Sequence, residues 1–221
     1  MQQRAFPYGH CLASVQSLTL ALIFALALVA APAQARTLHL VALGDSLTAG
    51  LGLPPGQAFP EVLEKALRAK GYDVEVANAG VSGDTAEDGL ARYDWSVPDG
   101  TDALIVELGA NDMLRGLDPA GARAALATIL LRAAAAHIPT LLAGMRAAPN
   151  LGAEYGARFD AIYPDLARQF GVALYPFFLE GVAADPKLNQ KDGLHPTREG
   201  VERIVAAMLP AVEALLKGAK T

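Results

Sequence analysis

Leu38-His39-Leu40-Val41-Ala42-Leu43-Gly44-Asp45-Ser46-Leu47 is the stretch that decides the fold. Leu38–Leu43 is a short apolar run, too brief for a helix and closed by glycine, so it reads as a buried strand. The acid and hydroxyl that follow, ahead of another apolar residue, read as the start of a helix. The same alternation continues downstream. Phe59–Lys70 reads as a helix stopped by Gly71, and Asp73–Ala77 as a second strand. Ala103–Leu108 is a third strand, closed by Gly109. Pro119–His137 is an alanine-rich helix with Pro119 in its first turn. Thr140–Gly144 is a fourth strand, and Tyr155–Phe170 a helix that Pro164 kinks or splits. Val172–Tyr175 is a fifth strand, and Thr197–Leu216 a closing helix with a bend expected at Pro210. Strands alternating with helices specify an α/β fold with a parallel sheet covered on both faces. The expected strand order is 2-1-3-4-5.

Ahead of this pattern the chain has another character. Residues 1–35 carry one charged side chain, Arg4, and Leu20–Ala31 is uninterruptedly apolar. Ala33-Gln34-Ala35 then offers small residues at the positions a signal peptidase reads. The expectation is a secretory leader, 1–35, cut before Arg36, with one domain over 36–221. The apolar run is shorter than the roughly 20 residues that span a bilayer, so no stable membrane anchor is expected. Export from a bacterial cell, to the periplasm or beyond, follows. The single cysteine, Cys11, lies inside the leader. The mature chain therefore has no disulfide and no thiol chemistry. Net charge is −5, becoming −6 without the leader, and Lys and Arg form no runs. A nucleic-acid partner is not expected. A monomer is.

In sheets of this kind ligands bind beyond the carboxyl ends of the strands. Gly44-Asp45-Ser46-Leu47 follows the first strand. Taken alone it is better read as a helix cap than as a nucleophile. Asn78-Ala79-Gly80-Val81-Ser82-Gly83-Asp84-Thr85 follows the second, and its glycines suit a tight turn or a close approach of backbone to ligand. Gly109-Ala110-Asn111-Asp112 follows the third, where the amide of Asn111 either holds a turn or donates into a site. Asp192-Gly193-Leu194-His195-Pro196 lies beyond the fifth. Its acid and imidazole, three residues apart, form either a polar turn or a carboxylate-oriented base. No one segment decides the matter. Together they put a hydroxyl, backbone and amide donors, and an acid–imidazole pair at one sheet edge. The pair must cross three strand spacings, about 15 Å, and Pro176–Lys191 is long enough to do so. The remaining histidines fit worse. His10 is in the leader, His39 is at the far end of the first strand, and His137 closes a helix.

These four blocks, in this order, resemble those of the GDSL, or SGNH, hydrolase family over nearly the whole mature chain. Ser82-Gly83-Asp84-Thr85, Glu107-Leu108-Gly109, Ile162-Tyr163-Pro164 and Tyr175-Pro176-Phe177-Phe178 are similar to its bacterial periplasmic branch of multifunctional acyl-CoA thioesterase I, lysophospholipase L1 and arylesterase. The resemblance implies a three-layer α/β/α, flavodoxin-like fold. It implies Ser46 as nucleophile, His195 as base and Asp192 as its orienting acid. It also implies an oxyanion hole from the N–H groups of Ser46 and Gly83 and the side chain of Asn111. Should Asp192 fail as the acid, Asp45 and Asp112 are next by position. The substrate class is an acyl ester or thioester, with lysophospholipid among the candidates, and neither cofactor nor metal is expected.

Ser46 lies in Gly44-x-Ser46-x-Thr48, so the G-x-S-x-G elbow of α/β-hydrolases is absent. One acid–imidazole pair does not supply a metal site either. Two alternatives remain: a carbohydrate deacetylase on the same fold and a non-catalytic flavodoxin-like binding module. Loops 112–119 and 151–155 are expected to cover the site and set substrate preference.

Overall fold

The computed structural model describes residues 1–3 and 36–219. The expected leader lies, beyond its first three residues, outside the described residues. Thr37–Thr221 clusters as one compact unit. No helix among the described residues is long and apolar enough to cross a membrane.

The first quoted stretch forms strand β1, Leu38–Gly44, followed by a one-turn helix α1, Ser46–Ala49. Then come α2 (Phe59–Ala69), β2 (Val74–Gly80), α3 (Ala86–Ala91), α4 (Tyr93–Ser96) and β3 (Ala103–Glu107). The second half runs α5 (Ala110–Leu114), α6 (Pro119–Ala135), β4 (Thr140–Ala143), α7 (Ala153–Asp160), α8 (Ile162–Phe170), β5 (Ala173–Tyr175) and α9 (Arg198–Ala219). All five strands are parallel, in the order β2-β1-β3-β4-β5. Helix α2 packs with α9, and α6 packs with α3 and α8. These two groups are the helical layers, and they explain why β3 is buried along its whole length.

One departure from the sequence expectations has a local cause. Strand β2 runs three residues further than expected. Asn78, Ala79 and Gly80 pair with Ala42, Leu43 and Gly44 instead of opening a loop. Gly80 permits this, because a Cβ there would collide with the backbone of Ala49 in α1. The expected 155–170 helix is two helices meeting at Ala161. Pro164 has no N–H for the carbonyl four residues back, and its ring excludes that carbonyl, so it sits in the first turn of a new helix. Helix α9, by contrast, continues without interruption through Pro210.

The long connection after β5 is tied to the core by Phe178. Its ring meets Phe59 of α2 edge-on, centroids 5.0 Å apart, and both are fully buried. Burying such a side chain stabilises by about 2 kcal/mol. This apolar contact anchors the segment that later delivers Asp192 and His195.

Candidate active site

Asp45, not Ser46, is the helix cap. Its Oδ1 accepts from the N–H of Leu47 at 2.9 Å, leaving Ser46 as the first residue of α1. The Ser46 hydroxyl is thereby free for another partner. That partner is His195, whose Nε2 is 2.8 Å from Ser46 Oγ. On the other side of the ring, Nδ1 is 2.6 Å from Asp192 Oδ2. The three residues expected to meet across the sheet edge do meet.

The spacing of Asp192 and His195 is explained by a turn. Asp192 Oδ1 accepts from the N–H groups of Leu194 and His195 at 2.9 and 3.0 Å. Gly193 has φ of +72° and closes that turn. The carboxylate is held at about 2, first by the His195 N–H, then by the Leu194 N–H, then by the ring. The loop is braced by Gln190, a residue the sequence did not mark. Its N–H donates to His195 O at 2.7 Å. Its side-chain amide donates to Leu51 O at 2.7 Å and to Pro196 O at 2.9 Å. Leu51 stands just after α1, so Gln190 joins the His195 loop to the Ser46 turn.

Gly83 and Asn111 line the same cavity as Ser46 and His195. Gly83 has φ of +93° in a turn closed by Asp84 N–H to Val81 O. That is the third position of a type II turn, where glycine is favoured. Among the described residues, no bond uses the N–H of Ser46 or of Gly83. Asn111 is engaged: Nδ2 donates to Asp45 Oδ2 at 3.1 Å and to Asp84 O at 3.0 Å. The two fallback acids do not touch His195. Asp45 is used by Leu47 and Asn111, and Asp112 accepts from the N–H of Ala86 at 2.9 Å.

Below Ser46 lies a carboxyl that sequence reasoning missed as a site residue. Glu107, at the end of β3, is fully buried, and its Oε2 accepts from Thr48 Oγ1 at 2.6 Å. Its Oε1 has no hydrogen-bond partner among the described residues. Burial, and then the charge of Asp45, push Glu107 well above the usual carboxylate range. Burial also pushes Asp45 up, to about 6, against its bonds from Leu47 and Asn111. Burial thus favours the protonated form of Glu107.

The cavity has a volume of about 470 Å³. Its walls are largely apolar, with Leu47, Leu51, Met113, Met145, Phe177 and Leu194 among them. Of the loops expected to cover the site, 112–119 contributes through Met113 and Leu114, whereas 151–155 does not reach it. Its place is taken by 145–149 and by 177–184. Arg146 stands at the wall, its guanidinium carbon 5.0 Å from the centre of the Phe177 ring.

A family model described as GDSL-like Lipase/Acylhydrolase family matches residues 42–203. This chain belongs to that family. The match begins inside β1 and ends in α9, so it takes in Ser46, Gly83, Asn111, Asp192 and His195. The GDSL-like chain is 41% identical to the esterase TesA of Pseudomonas aeruginosa over 192 residues, 86% of this chain and 96% of that protein. It is 39% identical to thioesterase 1/protease 1/lysophospholipase L1 of Escherichia coli, over 80% of this chain and 84% of that one. Among solved structures it is similar to AlinE4, an SGNH-hydrolase family esterase. There the identity is 50% and the TM-score 0.70, over 83% of this chain and 99% of that one. Acyl-ester hydrolysis is the coarse function that membership of the family gives.

Proposed function

We propose that this chain is an exported serine hydrolase that cleaves acyl esters and thioesters through an acyl-enzyme on Ser46. The observation that carries it is the bonded series Asp192–His195–Ser46 at the wall of an apolar cavity. A serine hydroxyl is a weak nucleophile at neutral pH and needs a base as it attacks. His195 Nε2 takes the Ser46 proton while Oγ bonds to the substrate carbonyl carbon. Asp192 fixes the tautomer and stabilises the imidazolium that forms. The N–H groups of Ser46 and Gly83 meet the oxyanion. Asn111 joins them by turning one amide hydrogen from Asp84 O or Asp45, since such bonds tighten only as charge develops. The tetrahedral intermediate expels the alcohol or thiol, protonated by His195. Water, deprotonated by His195, then releases the acid and frees Ser46.

The cavity walls favour an acyl chain over a sugar. A deacetylase would have to offer hydrogen-bonding side chains to the sugar hydroxyls, and Leu, Met and Phe offer none. The names of the similar proteins, esterase and thioesterase/lysophospholipase, point the same way. Export rests on residues 1–35, with cleavage before Arg36. Mass analysis of the mature protein tests that cleavage. For the chemistry, a fluorophosphonate should label wild type on Ser46 and leave Ser46→Ala unlabelled. A panel of aryl esters, acyl thioesters, lysophospholipids and acetylated sugars then ranks the substrates. Turnover of acetylated sugars alone would overturn the acyl-chain reading.

A further inference from the structure

Arg92 lies outside all four sequence blocks, between α3 and α4, yet its head group reaches the end of β1, the segment at and after the end of β2, and α4 at once. Its Nη2 donates to Gly44 O at 2.8 Å. Nη1 donates to Ala79 O at 2.9 Å and to Ser96 Oγ at 2.8 Å. Nε donates to Asp84 Oδ2 at 2.6 Å. Four of the five guanidinium hydrogens are thus used, and the side chain is only 17% exposed.

Three of these four partners, all but Ser96, adjoin a segment that carries a proposed oxyanion donor. Gly44 ends β1, two residues before Ser46, and its carbonyl also accepts from Val81 N–H at 3.0 Å. Ala79 is near the end of β2, where the chain enters the turn that presents Gly83. Asp84 follows Gly83, and its own carbonyl is a partner of Asn111 Nδ2. The N–H of Ser46, the N–H of Gly83 and the amide of Asn111 come from three separate segments. The ladder between β1 and β2 ends at Gly44 and Gly80 and does not extend to these donors. Past that point a planar, rigid fork with fixed donor directions sets their spacing.

We propose that Arg92 is a positioning residue that sets the geometry of the oxyanion hole, an inference that rests on the nucleophile reading above. Charge that exists only in the transition state is sensitive to small displacements of its donors. Loss of the fork should therefore appear in kcat and not in substrate binding. The acid–imidazole loop makes no contact with Arg92, so the shape of the pH profile should not change.

The test is steady-state kinetics on a soluble short-chain aryl ester, with melting curves, for Arg92→Ala, Arg92→Lys, Asp84→Asn and Ser96→Ala. Arg92→Ala should lower kcat by roughly 30- to 100-fold with KM changed less than about threefold. Fluorophosphonate inactivation should slow in parallel, and the limbs of the pH profile should stay in place. Arg92→Lys should recover only a small part, because a compact ammonium cannot serve four acceptors in fixed, planar directions. Asp84→Asn, which keeps an acceptor oxygen, should lower kcat by about three- to tenfold. It carries the test should Arg92→Ala fail to fold. Ser96→Ala removes a partner that adjoins no donor and should turn over like wild type. Folded variants at Arg92 and Asp84 with kcat within twofold of wild type would overturn the proposal, as would a loss confined to KM. Failure of the wild type to take the phosphonyl group on Ser46 would overturn both this inference and the nucleophile reading. A labelled wild type beside fully active Arg92 variants overturns this inference alone.

Discussion

Ser46 and His195 are in hydrogen-bond contact, but the structures that deliver them are of opposite kinds. The nucleophile side is built from strand ends and is buried: Asp45, Thr48 and Glu107 are inaccessible, and Ser46 nearly so. Its bonds join residues far apart in sequence, such as Thr48 to Glu107 and Arg92 to Gly44. The base side is a loop, where Asp192 is 44% exposed and is satisfied by residues two and three positions on. Buried polar groups are costly unless paired, so the nucleophile side is constrained by stability as well as by chemistry. An exposed turn carries no such penalty. Substitutions in the His195 loop should therefore leave stability nearly unchanged, whereas removing a buried bond on the Ser46 side should be felt in stability.

The largest effect should come from Ser46→Ala. Turnover should fall by about 10⁴-fold or more. The melting temperature should hold, because Asp45 still caps α1 through Leu47. Near-normal ester hydrolysis by this variant would end the assignment.

Asp192→Asn probes the exposed side. The rate should fall by on the order of 10³-fold, because the amide favours the wrong tautomer. The melting temperature should barely move, since the loop is exposed. The protonated imidazole also loses its charge partner, so the acidic limb of kcat/KM should move to lower pH. Asp192 itself, held at about 2, stays ionised across the working range and adds no limb there. A limb that stays in place with little loss of rate would mean that Asp192 is not the partner of His195.

Asn111→Ala should lower kcat by roughly 10²-fold with little change in KM. Unlike Asp192→Asn it should also lower the melting temperature, because Asp45 and the Asp84 carbonyl each lose a donor. An unchanged kcat would make Asn111 a turn residue.

The smallest effect on rate is expected at Glu107. A carboxyl whose folded value is raised favours the protonated fold. Its contribution is complete below the ordinary value of 4.5 and is lost as pH rises toward the folded one. Wild type should therefore melt at progressively lower temperature as pH rises above about 4.5. Glu107→Gln, the isostere of the neutral form, should flatten that slope while kcat stays within about threefold. An equal slope in both proteins would show that Glu107 is ionised in the fold.

This difference between the two sides also governs what could be read in advance. Asp192-x-x-His195 was legible because its geometry is local: a glycine turn and two N–H bonds from adjacent residues suffice. The strand-and-helix alternation was legible for the same reason. The end of β2 was not, because Asn78–Gly80 look like a loop until α1 is seen to need a glycine opposite Ala49.

From the sequence alone came the five strands, the four strand-end blocks and the residues Ser46, Gly83, Asn111, Asp192 and His195. Periodicity, caps and turns act over a few residues, and side-chain chemistry is written at each position. Only the tertiary structure decided that Arg92 joins the ends of β1 and β2 to α4, that Gln190 braces the His195 loop against Leu51, and that Glu107 is buried against Thr48. It also decided that 177–184, not 151–155, walls the cavity. The bonds from Arg92 to Gly44, from Thr48 to Glu107 and from Gln190 to Leu51 join residues 48, 59 and 139 positions apart, so they depend on which strands and helices come to lie side by side.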